Sequence, residues 1–234
     1  MNKTKIEYLD YTWNPLVGCS GIGCAVGVNC WACHQAKRAK HRCDLCYRFV
    51  PHVHWERFDQ PLHVKTPSRI GVGFMGDFFD KEFSLSVQAG IYMRMLKARW
   101  HRFLILTKQP QNIDGEALGN LDNLALGVTV NTKKDVWRID VLRGIDVRCR
   151  FISFEPLYEE LVDVDLKDID WAIIGAQTKP KRLPPFMATP HLIEQLEDRK
   201  IPVFLKNNLG ALGWKGYHEI PDFLQLDVGR GEEL

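Results

Sequence analysis

Six of the seven cysteines, Cys19, Cys24, Cys30, Cys33, Cys43 and Cys46, fall in one segment of under thirty residues. Such crowding points to metal or cluster ligation, because core packing does not gather thiols. Thiolates at Cys-x-x-Cys spacing reach one metal, since a tight turn brings two sulfurs to the same side. Two such pairs occur, Cys30/Cys33 and Cys43/Cys46. The seventh cysteine, Cys149, stands inside an apolar run and reads as a small buried hydrophobe.

The chain around this segment has 234 residues, 45% of them apolar and 26% charged, which suits one large globular domain. Its formal charge of +2 leaves nucleic acid neither implied nor excluded. The first residues lack the apolar run of a signal peptide, and no stretch is apolar for long enough to span a bilayer, so the expectation is a cytoplasmic protein with no membrane contact. In a reducing compartment, clustered cysteines serve as metal ligands or redox groups more readily than as disulfides.

Short apolar runs that alternate with helical stretches must position these groups. The runs are 69–74, 102–107, 124–130, 147–153, 170–175 and 201–206, and Tyr11 to Val17 counts as a first strand. Near-continuous apolar runs are what parallel strands covered on both faces require. Helices are expected at Ser84 to Ala98, Thr132 to Leu142 and Thr189 to Asp198, the last with a threonine cap and Pro190 at its first position. The expected fold class is α/β, a full or partial TIM-like (β/α) barrel of about six to eight parallel strands with a cysteine-rich loop after the first. A doubly wound open sheet is the alternative. Residues 1–210 form the barrel domain in this reading, with a cysteine-rich insertion at about 19–60 and a C-terminal appendage at 211–234.

In a barrel, the C-terminal end of the first strand would deliver Cys19 to the face where active sites lie. His34 to His41 reads as a helix starting just after Cys33, whereas only four residues separate Cys46 from Pro51 and leave no room for one. That spacing places Cys19, Cys30 and Cys33 on the strand–helix loop, where three thiolates can hold three irons of a [4Fe-4S] cluster and leave the fourth iron open. Cys43 and Cys46 are left for a separate structural zinc site, completed by Cys24 and a histidine from His41, His52 or His54. Thiolate ligands alone do not separate iron from zinc, so zinc is the competing reading at the first loop as well. His52 and His54 alternate along an extended stretch and face one side, as metal or substrate ligands or as packing against the first helix. The run from Lys37 to Arg42 is a solvated basic helix face that can also contact phosphate.

The succession of motifs resembles an uncharacterised, phage- and bacterium-associated family of unknown function that looks like a compact branch of the radical S-adenosylmethionine enzymes. The resemblance rests on Tyr11-Thr-Trp-Asn-Pro15 with Gly18-Cys19, Cys30-x-x-Cys33 with its basic helix, and Pro51-His-Val-His-Trp-Glu-Arg57. It continues through Gly73-Phe-Met-Gly-Asp77, Leu106-Thr-Lys108, Leu126-Gly-Val-Thr-Val130, Phe151-Ile-Ser-Phe-Glu-Pro156, Ile169 to Gly175 and Phe204-Leu-Lys206, and covers about residues 5 to 210. The chain departs from the pattern in three places. Ten residues separate Cys19 from Cys30, so Cys19 or Cys24 can be the first ligand. His34 replaces an aromatic after the last cysteine, and Gln177 stands where a glutamate is expected.

The resemblance implies a [4Fe-4S] cluster whose open iron chelates S-adenosylmethionine, with an electron donor such as flavodoxin or ferredoxin as partner. The implied substrate is unknown, with nucleic acid or nucleotide as the expected class. Gly73 and Gly76 would allow close approach of the cofactor, Asp77 would accept from its ammonium, Thr129 and Asn131 would bond ribose hydroxyls, and Gly175 would lie under adenine or substrate. Asp77, Lys108 and Glu155 are the candidate catalytic groups, each at an expected strand end, with Lys206 placed similarly. The rival from another class is a zinc-binding, nucleic-acid-interacting protein without redox chemistry. A second enzyme-class alternative keeps the cluster for electron transfer or structure alone.

Overall fold

The apolar runs become strands of one large sheet. The computed structural model describes residues 1–21, 24–118, 121–212 and 217–226. Twelve strands are assigned among them: β1 Asn2–Lys3, β2 Tyr11–Trp13, β3 Leu16–Val17, β4 His52–Val53, β5 Arg69–Val72, β6 Arg102–Thr107, β7 Leu124–Thr129, β8 Cys149–Phe154, β9 Trp171–Ile174, β10 Gln177–Thr178, β11 Lys181–Arg182 and β12 Val203–Leu205. The α-helices are α1 Trp31–Ala36, α2 Asp44–Arg48, α3 Leu85–Lys97, α4 Trp137–Arg143 and α5 Ala188–Glu197.

Eight strands form the sheet in the order β1-β2-β5-β6-β7-β8-β9-β12. All pair in parallel except β1, which runs antiparallel to β2. The parallel strands lie side by side in sequence order, so no reversal marks a doubly wound sheet. Nor does the sheet close into a barrel among the described residues. The outer edge of β2 is taken by β1, and that of β12 by the segment at 217–219, where Leu205 N donates to Tyr217 O (2.7 Å) and Glu219 N to Val203 O (3.0 Å). The expectation of a full barrel is corrected accordingly.

Alternation along the strands separates two apolar layers. Phe103, Ile105, Leu126, Val128 and Ile152 face the longer helices, whose inner faces supply Ile91 and Met95 from α3, Ile139 and Leu142 from α4, and Leu192 and Leu196 from α5. The intervening residues Leu104, Ala125, Cys149, Phe151, Trp171, Ile173 and Phe204 face the other side, where Tyr8, Leu9 and Leu224 cover them. The ring of Tyr8 meets Trp171 (5.4 Å) and Phe204 (5.6 Å) edge-on. Chain-terminal segments therefore do the work that further strands would do in a closed barrel. The described part of the expected appendage, 217–226, belongs to this layer, with Trp171 Nε1 donating to Glu219 O at 2.9 Å. Cys149 is buried here, as expected.

The helix expected over His34 to His41 begins instead at Trp31 as α1, contains Cys33, and gives way to a 3-10 turn at Lys37–Ala39. Three other expected elements differ from those observed. Tyr11 to Val17 splits in two, because Pro15 has no N–H for a ladder and Asn14 Oδ1 turns to accept Met75 N at 3.0 Å. Leu16–Val17 then pairs with His52–Val53 instead. Thr132 to Leu142 divides into a 3-10 turn at Lys133–Asp135, closed by a Thr132/Asp135 capping box, and α4. The third difference is at α5, which starts at Ala188 after a turn in which Ala188 N donates to Pro185 O (3.0 Å). Thr189 is consequently its second residue and not its cap, and Pro190 sits within the first turn, where a missing N–H costs nothing.

Candidate active site and metal centre

The parallel strands present their C-terminal ends to a cavity of about 450 Å³. Eight of the sequence-derived site residues line it: Cys19, Cys24, Cys30, Gly76, Asp77, Lys108, Thr129 and Glu155. Gln177 and Lys206 line it as well. Cys33, Gly73, Asn131, Gly175, Cys43 and Cys46 lie off its wall.

Several of these groups are fastened to the chain itself. Asp77 accepts from Thr107 Oγ1 (2.6 Å), Lys108 N (2.8 Å) and Phe79 N (3.1 Å), which ties the end of β5 to that of β6. Burial raises its carboxyl above the ordinary range, against these bonds. Glu155 accepts from Lys206 Nζ (2.6 Å) and Asn208 Nδ2 (3.2 Å), bridging the ends of β8 and β12. Asn131 donates from Nδ2 to Pro156 O (2.8 Å) and turns to the neighbouring loop, so the expected ribose contact is not where the cavity lies.

The glycines serve the chain's own close approaches. A Cβ on Gly76 would stand 2.3 Å from Gly18 O, and one on Gly18 would stand 2.5 Å from the Val50 carbonyl carbon. Three backbone layers stack here without room for side chains, which brings the cysteine segment against the end of β5. The space beside Gly175 is filled by Glu155, whose carboxyl carbon would lie 2.9 Å from an added Cβ, in place of the expected adenine. Gly73 adopts a left-handed φ of 71°, a turn requirement.

Sequence reasoning passed over Asp80, which is fully buried. It accepts from Ser20 N (2.7 Å), Ser20 Oγ (2.7 Å) and Gln109 Nε2 (2.9 Å) through one oxygen and from Glu82 N (3.2 Å) through the other. Burial pushes its carboxyl upward, yet the bonds from Ser20 and Gln109 outweigh that and hold it below the usual range. Beside it, burial lifts the Cys19 thiol to about 11. Also passed over was Ser153, the register partner of Thr129. Both residues line the cavity, and their buried hydroxyls have no hydrogen-bond partner among the described residues. A polar residue closing each of two adjacent apolar runs was the available signal.

The two Cys-x-x-Cys pairs share one local structure. Cys30 caps α1 and its Sγ accepts from Cys33 N at 3.5 Å, while Cys43 caps α2 and its Sγ accepts from Cys46 N at 3.4 Å. The sequence leaves no room for a helix between Cys46 and Pro51; the short helix instead begins ahead of Cys46, at Asp44, and ends at Arg48, so a helix does not distinguish the two pairs. What separates the pairs is their surroundings. Cys30 faces the cavity, whereas Cys43 and Cys46 face His52 and His54.

Ligand atoms of Cys43, Cys46, His52 and His54 all lie within 4.8 Å of one another, and the group can bind a metal such as zinc. Cys43 Sγ is 3.6 Å from His52 Nε2, Cys46 Sγ is 3.4 Å from His52 Nε2 and 3.1 Å from His54 Nε2, and the two Nε2 atoms are 2.9 Å apart. Tetrahedral zinc with its usual bond lengths puts sulfur and nitrogen ligands ~3.5 Å apart and two nitrogens ~3.3 Å apart. The opposite ring nitrogens are held as metal-bound imidazoles require: His54 Nδ1 meets Glu56 Oε1 at 2.7 Å and His52 Nδ1 meets Val50 O at 2.8 Å. Both histidines join, and Cys24 and His41 do not, which corrects the expected ligand set. Cys24 lies instead on the cavity wall. Burial raises the Cys46 thiol to about 11 and lowers His54.

Among the described residues no helix is long and apolar enough to cross a membrane. No curated protein and no solved structure matches the chain. Residues 3–215 match a family described as protein of unknown function (DUF5131), and with nearly its whole length covered the chain belongs to that family.

Proposed function

We propose that the protein is an iron-sulfur, S-adenosylmethionine-dependent radical enzyme acting in the cavity at the strand ends. The observation that carries this reading is the placement of Cys19, Cys24 and Cys30 together on the cavity wall, on the segment that follows the first parallel strand. Strands in sequence order with the longer helices on one face are the layout of part of a (β/α) barrel, in which this end is the functional one. The likeness to phage-associated radical enzymes belongs to the same proposal.

The residues present fit the groups. Three thiols of one loop can each hold one iron of a cluster, with Cys19 or Cys24 as the first ligand and Cys30 and Cys33 as the others. The unpartnered hydroxyls of Thr129 and Ser153 suit a ligand rich in hydroxyl and carboxylate groups. Bound there, a [4Fe-4S] cluster and S-adenosylmethionine would supply, with one electron from a flavodoxin or ferredoxin, cleavage of the sulfur–C5′ bond to methionine and a 5′-deoxyadenosyl radical. The chain's own share is positioning. Asp77 and Asp80 fix the loops that carry Lys108 and Cys19, and Glu155 orients the Lys206 ammonium at the cavity wall.

Anaerobic purification tests the proposal. Brown protein with absorbance near ~400 nm and about four irons per chain, lost on Cys30→Ala or Cys33→Ala, is the expected result. With dithionite and S-adenosylmethionine it should form 5′-deoxyadenosine; a reduced cluster that forms none points to electron transfer or structure alone. Colourless protein that holds only zinc would favour the second reading, a zinc protein contacting nucleic acid without redox chemistry, for which the convergence of Cys43, Cys46, His52 and His54 speaks.

A further inference from the structure

Charge is distributed unevenly over this chain. Between residues 20 and 57 stand six cations, Lys37, Arg38, Lys40, Arg42, Arg48 and Arg57, against two carboxylates, Asp44 and Glu56. The segment is therefore net +4 while the whole chain is only +2, so the remainder is net negative. Arg48 pairs with Asp44 (3.6 Å) and Arg57 with Glu56 (3.5 Å). Among the described residues Lys37, Arg38, Lys40 and Arg42 have no carboxylate partner, and all four are exposed.

The same segment exposes aromatic surface. Trp55 is 64% exposed, Trp31 46% and Tyr47 38%. Trp31 opens α1 and also lines the cavity, and Lys37 follows directly on the end of that helix. The β10–β11 hairpin adds exposed Lys179, Lys181 and Arg182, and its Gln177 and Thr178 line the cavity. Cations that track a phosphate backbone, interleaved with exposed rings on which bases stack, are the two requirements of single-strand binding. A cavity of about 450 Å³ that also takes the cluster and cofactor leaves a polymer outside, so a nucleotide meets it at the mouth.

We propose that the basic, aromatic face of the 20–57 segment binds single-stranded nucleic acid and delivers one nucleotide to the mouth of the cavity. This rests on the reading of that cavity as an enzyme site and names its substrate class. A duplex would not serve, because its bases are stacked out of reach of the rings and of the cavity.

The test is fluorescence anisotropy of the full chain, purified with its metals, against mixed-sequence single-stranded RNA, single-stranded DNA and the matching duplex. One single-stranded probe should bind more tightly than the duplex, which also shows whether RNA or DNA is preferred. Four phosphate contacts predict a slope of log affinity against log salt of about −3 or steeper. Replacing Lys37, Arg38, Lys40 and Arg42 with glutamine should flatten that slope and weaken binding by about tenfold or more at moderate salt. The matched variant Lys97→Gln, Arg99→Gln, Arg199→Gln, Lys200→Gln, at the opposite end of the strands, should leave both unchanged. Trp31→Ala should weaken binding about fivefold or more with the slope intact. Equal loss in the two quadruple variants, preference for the duplex, or no binding would overturn the proposal. Binding is read without cofactor turnover, so absent binding with intact 5′-deoxyadenosine formation overturns the substrate class alone, and firm binding by an iron-free protein overturns the radical reading alone.

Discussion

Val17 and His52 are register partners in the β3–β4 hairpin, so a metal-centre ligand is paired to the residue two before Cys19. Metal at Cys43, Cys46, His52 and His54 would therefore fix the strand that leads into the candidate cluster loop. Cys46→Ser should abolish zinc retention and cost about 2 kcal/mol or more, a fall in melting temperature of about 4–8 °C. Glu56→Gln, which weakens the hold on His54 and removes the carboxylate paired with Arg57, should lower zinc affinity about 10- to 100-fold with the fold intact. Zinc titration against a chromogenic chelator and thermal melts measure both. Hydrogen exchange at Gly18 and Ser20 should speed up when a chelator strips the metal.

The stack of Val50, Gly18 and Gly76 predicts unequal costs for two glycine replacements. Gly76→Ala drives a methyl into the Gly18 carbonyl oxygen, a backbone atom that cannot swing away, and should cost about 1–3 kcal/mol. Gly175→Ala meets only the Glu155 side chain, which can move at the expense of its bond to Lys206. It should be the milder change in urea unfolding.

Asp80→Ala should remove about 2 kcal/mol, because the buried Ser20 and Gln109 donors lose a charged acceptor. A carboxyl held below its ordinary value contributes stability above that value and loses it as the pH falls through the folded-state one. The stability gap between wild type and variant should accordingly be full at pH 7 and shrink below about pH 4. Urea midpoints across that range are the measurement.

His101 is fully buried, with Nε2 against Pro61 O at 3.1 Å, and burial lowers its ring below the usual histidine value. The unfolded chain then takes up the proton first as acid is added, so this residue makes stability fall on acidification below about pH 6.5. The slope it contributes is at most ~1.4 kcal/mol per pH unit. His101→Gln should remove that part of the slope in denaturation curves taken between pH 5 and pH 8.

Strand order and helix placement were legible because apolar periodicity is local. Arg102–Thr107 was readable to the residue, and α3 lies within one residue of its expected bounds at each end. Closure was not legible, because no local pattern says whether the first and last strands meet, and here β1 and the 217–219 segment occupy the edges. The strand-end positions of Asp77, Lys108 and Glu155 could be read from the runs that precede them. Their partners could not, since Glu155 to Lys206 and Asp80 to Ser20 join residues far apart in the chain. The two Cys-x-x-Cys pairs show the same limit. Spacing alone suggested a difference in helical structure, whereas the difference lies in what each pair faces.

The layer on the far side of the sheet also has a temporal meaning. Tyr8 rests on Trp171 and Phe204, and Leu224 joins the same layer, so segments far apart in the chain must meet there. Sheet and helices can assemble from β5 to β9 through neighbouring strands, but the floor behind the cavity is completed only when the segments carrying Tyr8 and Leu224 arrive. Such long-range pairing slows folding. Until those segments meet, the thiol-lined mouth stands over an unsealed sheet.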